Sequence, residues 1–498
     1  MNPKHSLDLL LVNAPSRPRV YQVLAAELAA CEPPIWAAMI ANFARAQGLS
    51  VDLLDAEALG LTFDQTVKEI ADRRPLLTAF TVYGQQPSAS TQCLPAASEI
   101  CRMLKSGYPE LKTLFLGTHM SALPEQTLRE EAVDFVCQGE GPYTILNLIK
   151  ALKASASDLS DVKGLWHDIN GQPTGNPPHE KIANLDLELP GMAWDLLPME
   201  RYKAHNWHCW EHIDARQPYA SLYTSLGCPF KCSFCCINAP FGGSGIRYFS
   251  PEHIIKEIDI LVTRYGVKNL KIADEMFVLN QKHIMTLCDL IIERGYKLNI
   301  WAYARVDTVK DSYLEKFKRA GINWLALGIE SGSKFVRDGV DKGRFADTDI
   351  ESIVKKIQSH GIYVCGNYIF GLPDDTHQSM QETLDMALSL NCEYANFYSA
   401  MAYPGSSLHV MAKQKGLPLP EDRGGPGWIG YSQYAYETLN LPTEHISAAE
   451  VLAFRDKAFD TYFAAPAYLA MIKKKFGAES LRHIEEMTKI HLPRKALE

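Results

Sequence analysis

The chain has 498 residues, of which 47% are apolar and 22% charged. That is ordinary globular composition with room for about three domains. Lys and Arg total 50 against 58 Asp and Glu, a net charge of −8, which argues against a nucleic-acid binder built on a large basic footprint. No run approaches the ~18 uninterrupted apolar residues of a membrane span. Met1–His5 is polar and unlike a secretory signal, so a cytoplasmic location is expected.

The first block alternates two kinds of segment. Leu7–Val12, Val51–Leu54, Leu76–Val82, Thr113–Gly117 and Asp134–Cys137 are short apolar runs. Between and after them Pro34–Ala46, Phe63–Ala71, Ser88–Leu104, Glu125–Glu131 and Tyr143–Leu152 have helical patterning. This predicts an α/β block over 1–153 with a parallel sheet covered on both faces, and ligand sites beyond the C-terminal strand ends. A linker with little structure of its own is expected over 154–217, where Asn170-Gly171 suggests a hairpin turn.

Alternation resumes over 218–411. Strands are predicted at Tyr219–Ser225, Asn269–Ala273, Leu298–Tyr303, Trp324–Ile329, Tyr363–Phe370 and Tyr394–Met401. Helices are predicted at Pro251–Tyr265, Lys282–Arg294, Ser312–Ala320, Ser333–Val340, Thr348–His360 and Ser379–Leu390. Six such units suggest an open, partial (βα)6 barrel with its active face at the C-terminal strand ends. Over 412–498 the alternation stops and a mainly helical region is expected. Trp428, Tyr431, Tyr434, Tyr436, Arg455 and Tyr462 are candidates there to cap the barrel and meet a substrate, with plain helix packing as the alternative.

The strongest chemical signal follows the first barrel strand. Cys228, Cys232 and Cys235 have C-x3-C-x2-C spacing. Twelve cysteines are too few for a disulfide scaffold of this length, and clustering in a cytosolic protein points to metal or catalysis. Three thiolates on one loop suit an iron–sulfur cluster with one iron left open for chemistry. Zinc and simple packing are the alternatives. Zinc would need a fourth donor, for which Cys209 and His212 are better placed than Cys236.

This triad, with Phe234 before its last cysteine, resembles the radical S-adenosylmethionine (SAM) superfamily. The resemblance runs over about 219–402. It implies a [4Fe–4S] cluster on Cys228, Cys232 and Cys235 whose open iron chelates SAM and cleaves it to a 5′-deoxyadenosyl radical. It further implies SAM contacts from Asp274 and Glu275 after the second strand, Arg305 after the third, and Glu330 and Ser331 after the fourth. A carboxylate at a strand end is also an ordinary helix cap.

The first block has no G-x-G-x-x-G after its first strand and no P-loop. A flavodoxin-like block before such a barrel is similar to the cobalamin-binding radical SAM class. That resemblance implies cobalamin contacts from Tyr83, in Thr81-Val82-Tyr83-Gly84-Gln85; from Gly117, Thr118 and His119; and from Gly139, Glu140 and Gly141. It departs from the class in one respect. The loop after the first strand, Asn13-Ala14-Pro15-Ser16-Arg17, has no His to ligate cobalt. Cobalamin is therefore expected without the usual histidine, and His119 is the nearest alternative.

Together these resemblances imply a methyltransferase acting on an unreactive carbon of a small-molecule or natural-product substrate, supplied by an electron donor such as flavodoxin or ferredoxin. The alternatives are a cyclase or rearrangement enzyme of the same architecture and, outside enzymes, an iron–sulfur or zinc structural protein. No catalytic acid or base is assigned from the sequence.

Overall fold

The computed structural model describes residues 7–84, 86, 88–342 and 349–498. Met1–His5, Gln85 and Thr348, which the sequence analysis singled out, lie outside them. The N-terminal sheet is built on β1 (Leu7–Asn13), β2 (Val51–Asp55), β3 (Pro75–Thr81), β4 (Lys112–Leu116) and β5 (Phe135–Cys137). These are parallel in the order β2-β1-β3-β4-β5, the flavodoxin-like order with its switch point between β1 and β3. Central residues such as Leu9, Leu11, Leu77 and Leu114 are fully buried because helices cover both faces.

The stretch over 154–217 differs from the expected plain linker. It contributes β6 (Leu165–Ile169) and β7 (Gln172–Gly175), a hairpin that adds two antiparallel strands to β5. Asn170 and Gly171 both have positive φ, 55° and 81°, as a tight two-residue hairpin turn requires. The rest docks through large aromatics. Trp194 donates to Glu257 at 2.6 Å, Tyr202 donates to Asp55 at 2.7 Å, and Trp207 and Trp210 are buried. Such apolar side chains cannot remain in a solvated linker.

The second sheet comprises β8 (Tyr219–Leu222), β11 (Asn269–Ile272), β12 (Asn299–Arg305), β13 (Ile322–Glu330), β14 (Tyr363–Phe370) and β15 (Tyr394–Ser399). Neighbours follow chain order and all pair in parallel, which is the open six-stranded barrel expected. The predicted first strand breaks in two. After β8 the chain turns into β9 (Ser225–Cys228), which pairs antiparallel with β10 (Gly245–Tyr248). The cysteine loop hangs from this hairpin. Two long helices, Ala448–Phe463 and Pro466–Met487, close the C-terminal region, the second kinked at Gly477. No helix among the described residues is long and apolar enough to cross a membrane.

Candidate active site

Residues from both sheets meet beyond their C-terminal strand ends. A cavity of about 240 Å³ is lined by Cys228, Cys232, Cys235 and Cys236, by Glu275, Arg305, Glu330 and Lys342, and by Gln86 and Ser88 from the loop after β3. Parallel strands converge on such a rim, so residues distant in sequence gather there.

Asp274 anchors the cysteine loop rather than facing the cavity. It is 1% exposed, and its oxygens accept from the Thr224 amide, the Thr224 hydroxyl and the Ser225 hydroxyl, each at 2.6 Å. Those bonds tie the end of β11 to the start of β9. Asp274 was expected among SAM contacts; its acceptors are taken up by the protein itself. Glu275, next in the chain, does line the cavity. Burial pushes its acid up to about 7, opposed by the Lys271 ammonium.

Arg305 lies over the loop, its guanidinium carbon 3.9 Å from the Phe230 ring centre and Nη1 4.0 Å from the Cys232 sulfur. Two 3.0 Å bonds to Asp307 fix its orientation. Glu330 closes β13 with φ 67°, and its carboxylate is ion-paired to buried Lys342. Lys342 is not legible in the sequence, because a lysine twelve residues beyond Glu330 belongs to no local pattern. Ser331 turns the other way. It is fully buried, 3.1 Å from the Thr383 hydroxyl, and braces the turn through the Ser333 amide.

The donor set fits a polynuclear cluster. Among the described residues no three donors converge as one metal ion requires, while the three thiols line one cavity, and a cluster takes one thiolate on each of several irons. Burial pushes Cys228 up to about 11 and raises Cys232 and Cys235, so ligation would release protons. Cys209, weighed as a fourth zinc donor, lies 3.4 Å from Asn269 at the start of β11, the opposite end of the barrel.

On the N-terminal side the expected residues separate into two groups. Tyr83 stacks on Trp36 at 5.0 Å, and its buried hydroxyl has no hydrogen-bond partner among the described residues. It lines a slot of about 80 Å³ at the β1/β3 switch point. Gly139 and Gly141 line a cavity of about 320 Å³. A Cβ on Gly139 would meet nothing nearer than the Pro240 carbonyl at 3.9 Å, so its surface is open to a ligand. These features, an orphaned hydroxyl and an open glycine rim, fit a large polar ring ligand such as cobalamin.

Gly117, Thr118 and His119 line none of these cavities. A Cβ on Gly117 would lie 2.1 Å from the Val82 carbonyl, so the chain's own packing demands that glycine. Thr118 is 2% exposed. The His119 ring is buried edge-on to Trp428, 4.5 Å away, with Nδ1 3.2 Å from the Thr91 hydroxyl. Burial lowers its pKa to about 3. Glu140 lines the glycine cavity, but its carboxylate is held by Arg247 and the Ile182 amide.

A second cavity, about 230 Å³, continues into the barrel bore. Tyr303, Ala326, Asn367, Tyr398 and Gln433 line both. Of the C-terminal candidates, Tyr434 and Arg455 reach this second cavity. Trp428 packs on His119, Tyr431 donates to Glu421, Tyr436 to Glu498 and Tyr462 to the Cys392 carbonyl.

Residues 21–149 match the B12 binding domain, and residues 222–387 match the Radical SAM superfamily. An uncharacterised methyltransferase of Pyrococcus horikoshii is 28% identical over 464 residues, 93% of this chain and 94% of the relative. The anaerobic magnesium-protoporphyrin IX monomethyl ester cyclase of Rubrivivax gelatinosus is 28% identical over 393 residues, 77% of this chain and 67% of the relative. In structure the chain is similar to the radical SAM methyltransferase TsrM of Kitasatospora setae, solved with cobalamin and a [4Fe–4S] cluster (TM-score 0.66, 16% identity, 93% and 90% covered). It is also similar to the cobalamin-dependent SAM radical enzyme OxsB, solved with aqua-cobalamin and SAM (TM-score 0.69, 18% identity, 97% and 71% covered). At those identities the likeness establishes the fold.

Proposed function

We infer the reaction from the premise that this chain is a radical SAM enzyme carrying a B12-binding domain: it is a cobalamin-dependent methyltransferase acting on an unreactive carbon of a small molecule. One observation carries this reading. A single cavity is lined by Cys228, Cys232 and Cys235 together with Gln86 and Ser88 of the N-terminal block, so the cysteine site opens onto the loop after β3 that also carries Tyr83. When bound, a [4Fe–4S] cluster with SAM would supply hydrogen abstraction from an unactivated carbon, and cobalamin a methyl group such a carbon can accept.

The chain's own residues do the rest. Cys228, Cys232 and Cys235 are the metal ligands of this reading. Glu275 and Glu330 offer carboxylates, and Arg305 a guanidinium, to the zwitterionic end of SAM. Lys342 holds Glu330 in place. Tyr83, Gly139 and Gly141 hold cobalamin, and His119 does not ligate it, because it is packed against Trp428. The C-terminal region walls the bore and excludes water from it. On this reading the chain divides at about 1–153, 154–217, 218–411 and 412–498, with the β6–β7 hairpin of the middle stretch extending the N-terminal sheet.

The reading requires an electron donor, such as flavodoxin or ferredoxin, and a reducing, cytoplasmic compartment; twelve unpaired cysteines suit one. The cyclase relative favours a second reading, cyclisation or rearrangement without methyl transfer. Anaerobic reconstitution with iron, sulfide, cobalamin, SAM and a one-electron reductant, with the substrate supplied, separates the two. Methyl transfer predicts both S-adenosylhomocysteine and 5′-deoxyadenosine. 5′-Deoxyadenosine alone selects the second reading, and neither product refutes both.

A further inference from the structure

The cavity in the barrel bore has a chemical character of its own. On β12 and β14 its lining comes from alternate residues, Trp301 and Tyr303, and Cys365 and Asn367, which is the inward face of each strand; on β15 all of 394–398 line it, Tyr394, Phe397 and Tyr398 among them. The rest of the lining includes residues from outside the barrel strands, among them Tyr21, Tyr434, Phe459, Arg455 and Arg494. Flat aromatic faces therefore surround the space, and aromatic surfaces favour offset or edge contacts with another ring.

The charges are uneven. Arg455 and Arg494 are 6% and 4% exposed, and both lean on one carboxylate, Asp456. Arg494 is used up as a brace, donating also to the Gln433 carbonyl at 2.8 Å. Arg455 donates Nε to the Phe397 carbonyl at 2.7 Å and Nη1 to Asp456 at 2.6 Å. Its Nη2 has no protein partner among the described residues, and the side chain lines the cavity. The guanidinium lies over the Tyr434 and Phe459 rings, 5.4 and 5.9 Å from their centres. The other buried cation, Lys271, is paired with Glu32 at 2.9 Å. Asp460, which also lines the cavity, is exposed and solvated at its mouth. The interior thus holds two guanidiniums for one carboxylate, with a donor edge of Arg455 beside a ring platform.

We propose that this cavity is the substrate site and that it takes a flat, conjugated ring bearing an anionic arm, the arm held by Arg455. This rests on the enzymatic reading above, because the cavity opens into the one lined by the three cysteines through shared residues. A guanidinium with a free edge in a water-poor site binds a carboxylate or phosphate by charge-assisted hydrogen bonds, while the rings select for planarity.

The test uses the full chain and three probes of matched carbon skeleton: 2-naphthylacetate, its neutral counterpart 2-naphthylethanol, and the non-planar acid decahydro-2-naphthylacetate. Isothermal titration should show one site per chain, with the naphthyl acid about tenfold tighter than either other probe. Arg455→Gln should erase the preference for the acid over the alcohol. Tyr434→Leu, which leaves the charge in place, should weaken both naphthyl probes and keep that preference. Equal affinity for acid and alcohol in the native chain would overturn the proposal, as would a preference that survives Arg455→Gln. Binding is read without turnover, so a failure here is distinct from a failure to form the SAM products.

Discussion

Arg247, on the second strand of the cysteine hairpin, closes a two-pronged ion pair on Glu140, in the glycine loop of the N-terminal sheet: Nη2 to Oε1 at 2.6 Å and Nη1 to Oε2 at 3.1 Å. The Ile182 amide adds a third bond at 2.8 Å. One carboxylate therefore joins the N-terminal block, the docked connector and the hairpin that carries the cysteines. Removing one partner leaves the other largely buried and unpaired. Glu140→Gln should cost about 2 kcal/mol in unfolding free energy. In a double-mutant cycle with Arg247→Gln, the second substitution should cost much less once the first is made. Additive losses would mean that the two residues act independently.

The iron content of reconstituted protein checks the ligand set. Native chain should hold about four irons, and Cys228→Ala, Cys232→Ala and Cys235→Ala should each lose most of them. Cys236, which also lines the cavity, should be dispensable. Full loading of Cys232→Ala would reject the assignment.

Asp274 and Glu275 are adjacent but should fail differently. Asp274→Ala deprives three donors on the cysteine loop of their acceptor, so the expected loss is in cluster retention, together with about 2 kcal/mol of stability. Glu275→Gln leaves the loop tied and should keep iron while weakening SAM binding. Equilibrium dialysis of SAM against protein of matched iron content tells them apart. Identical phenotypes would remove the distinction between brace and ligand.

His119 links cobalt spectroscopy to stability. Paramagnetic resonance of the Co(II) form should show no nitrogen splitting from a protein imidazole, and His119→Gln should not change the spectrum; a splitting lost in that variant would make His119 a ligand. The same burial has a pH signature. Burial pushes the folded imidazole down to about 3, well below the ordinary histidine range near 6.5, so the unfolded chain binds a proton the folded chain does not. Stability held above about pH 6.5 is then lost as pH falls, by about 1.4 kcal/mol per pH unit for this group. His208, also lowered to about 3 by burial, adds a similar slope. Urea unfolding between pH 7 and 5 should show a shallower acid loss in His119→Gln.

Local pattern alone carried the architecture. Apolar runs of strand length alternating with amphipathic helices set both sheets, and Tyr363–Phe370 and Pro251–Tyr265 fall where the sequence predicts them. The cysteine triad was legible for the same reason: three ligands on eight consecutive residues need no tertiary information to be seen together. What each side chain at a strand end faces depends on its neighbours across the sheet. Asp274 turns to Thr224, Ser331 to Thr383, Glu140 to Arg247 and His119 to Trp428, partners 50 to 309 residues away. Lys342 and Arg455 reach their cavities only because the barrel and the C-terminal helices bring them there. A polar atom at the end of a strand can serve a cofactor or its own fold, and which it serves is decided by hydrogen bonds formed once distant segments are packed together.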